Sequence, residues 1–131
     1  MSDKAGRNVL YYAIVEHKTE DAKSLILSGE FDIDAQDDKG YAAIHFASQY
    51  KEVDVVKLLL EKGANVKLQD KWGNTALARA LGKGDENNII IRMLLEAGAD
   101  PRTENFSGIS VLSHVKKLKT HPNRHLFERY F

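Results

Sequence analysis

The chain has 131 residues, of which 43% are hydrophobic and 29% are charged, proportions typical of one soluble globular domain. It lacks cysteine, which excludes disulfides, thiolate zinc sites and cysteine nucleophiles and favours a reducing, cytoplasmic compartment. Its 19 basic residues equal its 19 acidic ones and no apolar run is as long as a signal-peptide core or a membrane span, so neither nucleic acid nor a membrane is an expected partner.

Four glycines recur along the chain at nearly equal steps of 33 to 35 residues: Gly6, Gly40, Gly73 and Gly108. Such a period is typical of a solenoid whose unit is two helices and a turn. The sequence therefore predicts a single domain of about four repeats, the last of which is a C-terminal cap. The predicted repeats are approximately residues 4–36, 37–69, 70–102 and 103–131.

In the first repeat, apolar residues at three- and four-residue spacing predict one helix around residues 9–14 and a second around residues 22–27. Thr19 precedes two acidic residues and is expected to cap the second helix. Gly29 is the expected end of that helix, because glycine adopts the left-handed conformation without strain.

The second repeat carries the clearest pattern. Residues 40–47 read GYAAIHFA and residues 54–65 read DVVKLLLEKGAN, where the ankyrin repeat has G-x-T-P-L-H-x-A and E-V-V-x-L-L-L-x-x-G-A-D. The chain resembles the ankyrin-repeat family, most strongly over residues 37–100. This resemblance implies an all-α solenoid of helix-turn-helix repeats with projecting β-hairpin turns.

The third repeat has a threonine, Thr75, at the start of its first helix, and a polar insertion at residues 82–88 precedes its second helix. In the fourth repeat, residues 108–115 keep the first-helix pattern, and a last amphipathic helix is predicted from about Pro122. This helix is expected to seal the stack with one face and to meet water with the other. The two predicted faces are Leu126, Phe127, Tyr130 and Phe131, and Asn123, Arg124, Glu128 and Arg129.

The histidines do not form a pattern that requires chemistry. His45 occupies the family's Leu-His position, which implies a structural hydrogen bond between neighbouring turns. His121 and His125 are four residues apart, but Pro122 places His121 at or before the helix start and no third ligand has a fixed spacing. The sequence predicts no enzyme, no metal and no cofactor.

The resemblance also implies which surface binds a partner: the hairpin tips and the exposed, concave side of the first helices. Trp72, the only tryptophan, is expected at the solvent beside other aromatic residues, as in a protein-binding hot spot. The alternative is that Trp72 packs against the neighbouring hairpin. The predicted partner-binding residues are Asp38, Lys39, Tyr41, Gln49, Tyr50, Lys71, Trp72, Asn74, Lys83 and Phe106.

The sequence thus predicts a monomeric protein that acts by occupying the surface of another protein. The preferred role is that of a small inhibitor or an immunity-type protein that neutralises its partner. The alternative is a scaffold, adaptor or assembly component, for which self-association through the apolar C-terminal helix is one route. An enzyme is the third and remotest hypothesis.

Overall fold

A computed structural model describes residues 8–81 and 88–131. Within these residues the chain forms seven α-helices and no β-strand, apart from an isolated antiparallel bridge between Glu104 and Ser110. The all-α solenoid prediction is confirmed. The helices are α1 (Val9–Val15), α2 (Thr19–Leu27), α3 (Ala43–Gln49), α4 (Val53–Glu61), α5 (Ala76–Ala80), α6 (Ile89–Glu96) and α7 (Val111–Lys117).

The helices pack as consecutive pairs, α1 with α2, α3 with α4 and α5 with α6. The first helices of the pairs lie against one another, and so do the second helices, which gives two layers around one continuous core. The core includes Val56 and Leu59 of α4, Leu77 of α5 and Leu94 of α6. None of the described helices is long and apolar enough to cross a membrane.

At two of the four periodic glycines, Gly40 and Gly73, the next hairpin lies too close for a side chain. A Cβ atom on Gly40 would lie 2.8 Å from the Asp70 Cα, and one on Gly73 would lie 2.6 Å from the Phe106 backbone nitrogen. Both glycines also have positive φ angles, so any side chain there would strain the backbone as well as collide with the next hairpin.

Thr19 does not cap α2, contrary to the sequence prediction. Lys18 is the residue at the capping position, and the Thr19 hydroxyl instead donates a 2.9 Å hydrogen bond to the Glu52 carboxylate of the next helix pair. His17 contacts the other carboxylate oxygen of Glu52 at 2.8 Å. Because Glu52 is buried, its carboxylate needs these polar partners, and they outweigh a local cap. The predicted end of α2 is confirmed, since the helix stops just before Gly29.

The predicted helix from Pro122 is also wrong. The segment forms two short 3-10 turns, Arg124–Leu126 and Glu128–Tyr130. Asn123, which was expected to face water, is fully buried, and its side-chain oxygen accepts the backbone N–H of Asn88 at the start of α6.

A second anchor, Arg124, holds the same segment to the end of α7. The Arg124 guanidinium donates to the backbone oxygens of Val115 and Lys116 in the last turn of α7, at 3.1 Å each. These bonds satisfy carbonyls that a helix end leaves without partners. Phe127 is thereby fully buried, whereas Phe131 is 44% exposed. The segment closes the stack, but as turns fixed by long-range hydrogen bonds.

We expect Leu59→Ala to lower the free energy of unfolding by about 2–5 kcal/mol, because it leaves a cavity in the core between the helix layers. Leu27→Ala is the matched control: Leu27 is 58% exposed, so its loss should change stability by less than about 0.5 kcal/mol. Urea unfolding followed by circular dichroism measures both. Equal losses in the two variants would contradict the packing described here.

A second pair of variants tests how the C-terminal segment closes the stack. Phe127→Ala should cost about 3–5 kcal/mol, as expected for an aromatic side chain that is fully buried. Phe131→Ala should cost about 1 kcal/mol or less, because that ring is exposed and its contacts include the cations of Lys116 and Arg124. If Phe127→Ala leaves the unfolding midpoint unchanged, the segment does not close the core.

Candidate protein-binding face

Each of the three hairpins in the described residues is built on one side-chain oxygen. The residues are Asp37, Asp70 and Asn105, and in each the Oδ1 atom accepts the backbone N–H groups two and four positions later, at 2.9–3.0 Å. This arrangement fixes the turn without a strand on either side. The residues between the two N–H groups therefore project from the fold as a hairpin tip.

Backbone hydrogen bonds join these tips into a row. The Lys71 N–H donates to the Lys39 carbonyl at 2.8 Å, and the Phe106 N–H donates to the Trp72 carbonyl at 3.0 Å. The side-chain amide of Gln69 donates both to the Gly73 carbonyl in its own hairpin and to the Glu104 carbonyl in the next one. The tips thus have fixed positions relative to one another.

His45 connects the helix layer to this row. Its Nδ1 atom accepts the Ala42 backbone N–H at 3.1 Å, which supplies the helix cap that the alanine side chain cannot. The neutral tautomer with hydrogen on Nε2 then donates to the Asn74 carbonyl of the next hairpin, 3.2 Å away. This confirms the structural role predicted for the histidine.

Trp72 lies on the exposed side of the row, with 47% of its surface accessible. Its ring is tilted against the half-buried Tyr41 ring, with the centroids 6.0 Å apart, and Tyr41 in turn packs on Phe46. The Tyr50 ring lies instead beside His17. Phe106 is the most exposed large apolar residue described, and its ring covers the Cα side of Gly73.

Arg79 is the central residue of this face that sequence reasoning missed. Its guanidinium carbon lies 5.2 Å from the Tyr41 ring centroid and 5.7 Å from that of Trp72. The Nε and Nη2 atoms of Arg79 donate to the Asp70 Oδ2 atom at 2.9 and 2.6 Å. We call Tyr41, Trp72 and Arg79 the aromatic cluster. The available signal was a charged residue at the position that holds Phe46 in the preceding repeat, 33 residues earlier.

The buried carboxylate of Asp70 is fully occupied by these contacts. Oδ1 accepts two backbone N–H groups and Oδ2 accepts two guanidinium N–H groups, so a charge that burial would penalise is neutralised. The same surroundings act on Tyr41: burial raises its pKa above 10.0, Arg79 opposes this shift, and the Asp70 and Asp37 carboxylates reinforce it.

Comparison with known proteins agrees with this architecture. The sequence model of the family described as ankyrin repeats (3 copies) matches residues 10–105. The chain belongs to the ankyrin-repeat family. It is 34% identical, over 88% of its length, to an ankyrin repeat-containing protein of Treponema pallidum, and 33% identical over 88% of its length to the nuclear factor NF-kappa-B p105 subunit of Gallus gallus. It spans 38% and 12% of these two relatives, well under two thirds of their length.

An ankyrin-repeat chain is a protein–protein interaction module, and the family consists generally of non-enzymatic binding modules.

Five of the predicted binding residues line one groove of about 330 Å³ on the hairpin row, together with Tyr11, Asp37 and Phe46. Lys71 is an exposed tip residue of the next hairpin. The five predicted residues in the groove are Asp38, Lys39, Tyr41, Gln49 and Tyr50.

Two predicted binding residues differ in their surroundings. Asn74 is only partly exposed, and its side-chain oxygen accepts from the Asn105 side-chain amide at 3.2 Å, so it holds two ankyrin hairpins together. Lys83 lies outside the described residues, as does the polar insertion except for Asn88. The rings of His114 and His121 are 6.0 Å apart, and no group of three or more His, Cys, Asp or Glu side chains suited to a metal occurs in the part of the chain that the structure describes.

The buried imidazole of His45 should make stability depend on pH. Burial lowers its pKa below 6.5, so the unfolded chain takes up the proton more readily and the free energy of unfolding should fall as the pH drops below about 6.5. Protonation would also remove the acceptor for the Ala42 N–H. Urea unfolding at about pH 7.5 and about pH 5.5 measures this loss.

His45→Gln provides the comparison for that measurement. The variant should be less stable at the higher pH and should lose part of the pH difference. His121 acts in the same direction, because burial and the neighbouring His114 lower its pKa, so a reduced difference is expected rather than none. An unchanged pH difference in His45→Gln would contradict the assignment.

Proposed function

We propose that this chain is a small inhibitor or immunity-type protein that neutralises a partner protein by occupying part of its surface. The observation that carries the proposal is the aromatic cluster, in which Trp72 is half exposed while Arg79 and Tyr41 are already fixed beside it. Tryptophan, tyrosine and arginine are the residue types most enriched among interface hot spots.

The cluster is ordered before a partner arrives. The buried Asp70 carboxylate holds the Arg79 guanidinium, and the hydrogen bond from Phe106 to the Trp72 carbonyl holds the tip. A binder whose anchors are already in place loses little side-chain entropy on association. A rigid face of this kind favours tight occupancy, which is what a stoichiometric inhibitor requires.

Arg79 also gives the aromatic cluster hydrogen-bond donors for a partner. The Nε and Nη2 atoms of Arg79 are held by Asp70, whereas Nη1 has no hydrogen-bond partner among the described residues. Its N–H groups are thus available to a carboxylate or a carbonyl on the partner, next to two aromatic faces. A partner would bury an aromatic anchor and satisfy a cationic donor at the same spot.

Affinity capture followed by mass spectrometry tests the proposal. The bait proteins are the unmodified chain, Trp72→Ala and Phe131→Ala, the last being a matched control because Phe131 is comparably exposed but lies at the C-terminal end. A partner retained by the unmodified chain and by Phe131→Ala, but lost with Trp72→Ala, supports binding at the aromatic cluster. Adding the purified chain to that partner then separates the roles: stoichiometric loss of the partner's activity supports an inhibitor, and unchanged activity supports a scaffold.

Trp72→Ala should weaken binding to the captured partner by roughly thirtyfold, the equivalent of about 2 kcal/mol for a hot-spot tryptophan. The thermal midpoint should change little, because the indole is half exposed. Calorimetric titration and thermal unfolding of the same samples measure both. A variant that unfolds several degrees earlier and binds normally would show that Trp72 packs the hairpins and does not recognise the partner.

A further inference from the structure

The three hairpins differ in how the charge at their base is balanced. Asp70 is neutralised by Arg79, and Asn105 carries no charge. Asp37 uses its Oδ1 atom as the other two do, but no cation among the described residues pairs with its carboxylate. Among the described residues, Asp37 is therefore the hairpin carboxylate that has no cationic partner, and its side chain is only partly exposed to water.

The repeat period shows that Phe46 occupies, in the α3–α4 pair, the position that Arg79 occupies in the α5–α6 pair. Asp70 lies 33 residues after Asp37, and Arg79 lies 33 residues after Phe46. In the α5–α6 pair the position on the first helix therefore supplies a guanidinium to the hairpin carboxylate. In the α3–α4 pair it supplies a phenyl ring, and the groove of about 330 Å³ lies beside that ring.

The lining of this groove suits a flat cation. Four of its lining residues are aromatic, Tyr11, Tyr41, Phe46 and Tyr50. The Tyr11 and Phe46 ring centroids are 4.4 Å apart, and those of Tyr41 and Phe46 are 5.2 Å apart. Aromatic faces attract cations, and arginine stacks on them more readily than lysine because its guanidinium is planar and weakly hydrated. The charged residues of the lining are Asp37, Asp38 and Lys39, which sum to one negative charge.

We propose that this groove takes an arginine side chain of the partner protein, which pairs with Asp37 and stacks on the surrounding rings as Arg79 does with Asp70, Tyr41 and Trp72. The inference rests on the proposed function only in that the arginine belongs to the bound partner. The Asp37 Oδ2 atom, which none of the described hydrogen bonds uses, is the acceptor for the guanidinium.

The test uses short peptides rather than the unidentified partner. The probe is the capped tripeptide acetyl-Gly-Arg-Gly-amide, and its comparisons are the same peptide with lysine and with citrulline, the uncharged isostere of arginine. Binding is followed by NMR chemical-shift changes of the full chain. We expect saturable shifts at Tyr41 and Tyr50 with the arginine peptide, and binding roughly tenfold weaker or worse with the other two.

Asp37→Asn removes the charge while leaving the hairpin intact, because Asn105 shows that an asparagine makes the same two bonds to the backbone. This variant should bind the arginine peptide at least roughly tenfold more weakly. Asp54→Asn is the matched control: it removes an equal charge from an exposed position in the first turn of α4, outside the groove, and should not change binding. Phe46→Arg supplies an internal guanidinium and should block the peptide.

The inference is overturned if the arginine peptide causes no saturable shifts in the groove, if lysine or citrulline binds as well, or if Asp37→Asn binds like the unmodified chain. Its failure is separable from failure of the proposed function. If the partner is lost only with Trp72→Ala and the unmodified chain does not bind the arginine peptide, the arginine site alone is refuted. A chain that binds the peptide through Asp37 but keeps its partner in Trp72→Ala refutes the role of the aromatic cluster alone.

Discussion

One hydrogen-bonding device sets the geometry of the whole face: a single side-chain oxygen at the base of each hairpin accepts two backbone N–H groups of that hairpin. It makes a tight turn without a sheet, and it lets each hairpin approach the next so closely that only glycine fits at Gly40 and Gly73. This arrangement uses only the Oδ1 atom of the side chain. The three hairpins therefore differ in what the second terminal atom of that side chain contacts. In Asp70 this atom pairs with Arg79, and in Asn105 it is the amide nitrogen. In Asp37 it is an oxygen that takes part in none of the hydrogen bonds of the described residues.

The pairing of Asp70 with Arg79 converts a structural requirement into a surface feature. A buried carboxylate needs compensation, and the arginine that provides it is thereby held beside two aromatic rings, one of which is half exposed. The same hairpin receives the His45 hydrogen bond that links it to the preceding helix pair. The same residues therefore contribute to stability and to the proposed binding surface. The effect of a substitution in the aromatic cluster on binding should be compared with its effect on the free energy of unfolding.

Patterns that repeat along the chain predicted the fold, because a glycine period and apolar stripes report on packing that every repeat shares. The core positions of Leu59, Leu77 and Leu94 and the neighbouring positions of Tyr41 and Trp72 follow from register alone. What the sequence did not predict depends on contacts between distant residues that occur once. Thr19 binds Glu52 from another helix pair, and the Asn123 amide joins residue 88, so local capping and helix-start patterns gave the wrong result at both places. Arg79 was missed for the same reason, since its ion pair with Asp70 exists in one repeat only.

The central claim is that the hairpin row, and the exposed side of the first helices below it, is where a partner protein binds. Hydrogen–deuterium exchange of the chain, alone and in complex with the captured partner, tests it most directly. The account predicts slower exchange on binding in peptides that cover residues 37–50 and 70–80, with no change in peptides that cover α4 or α6. Protection confined to α4 and α6, or to residues 111–131, would place the partner on another surface and contradict the account.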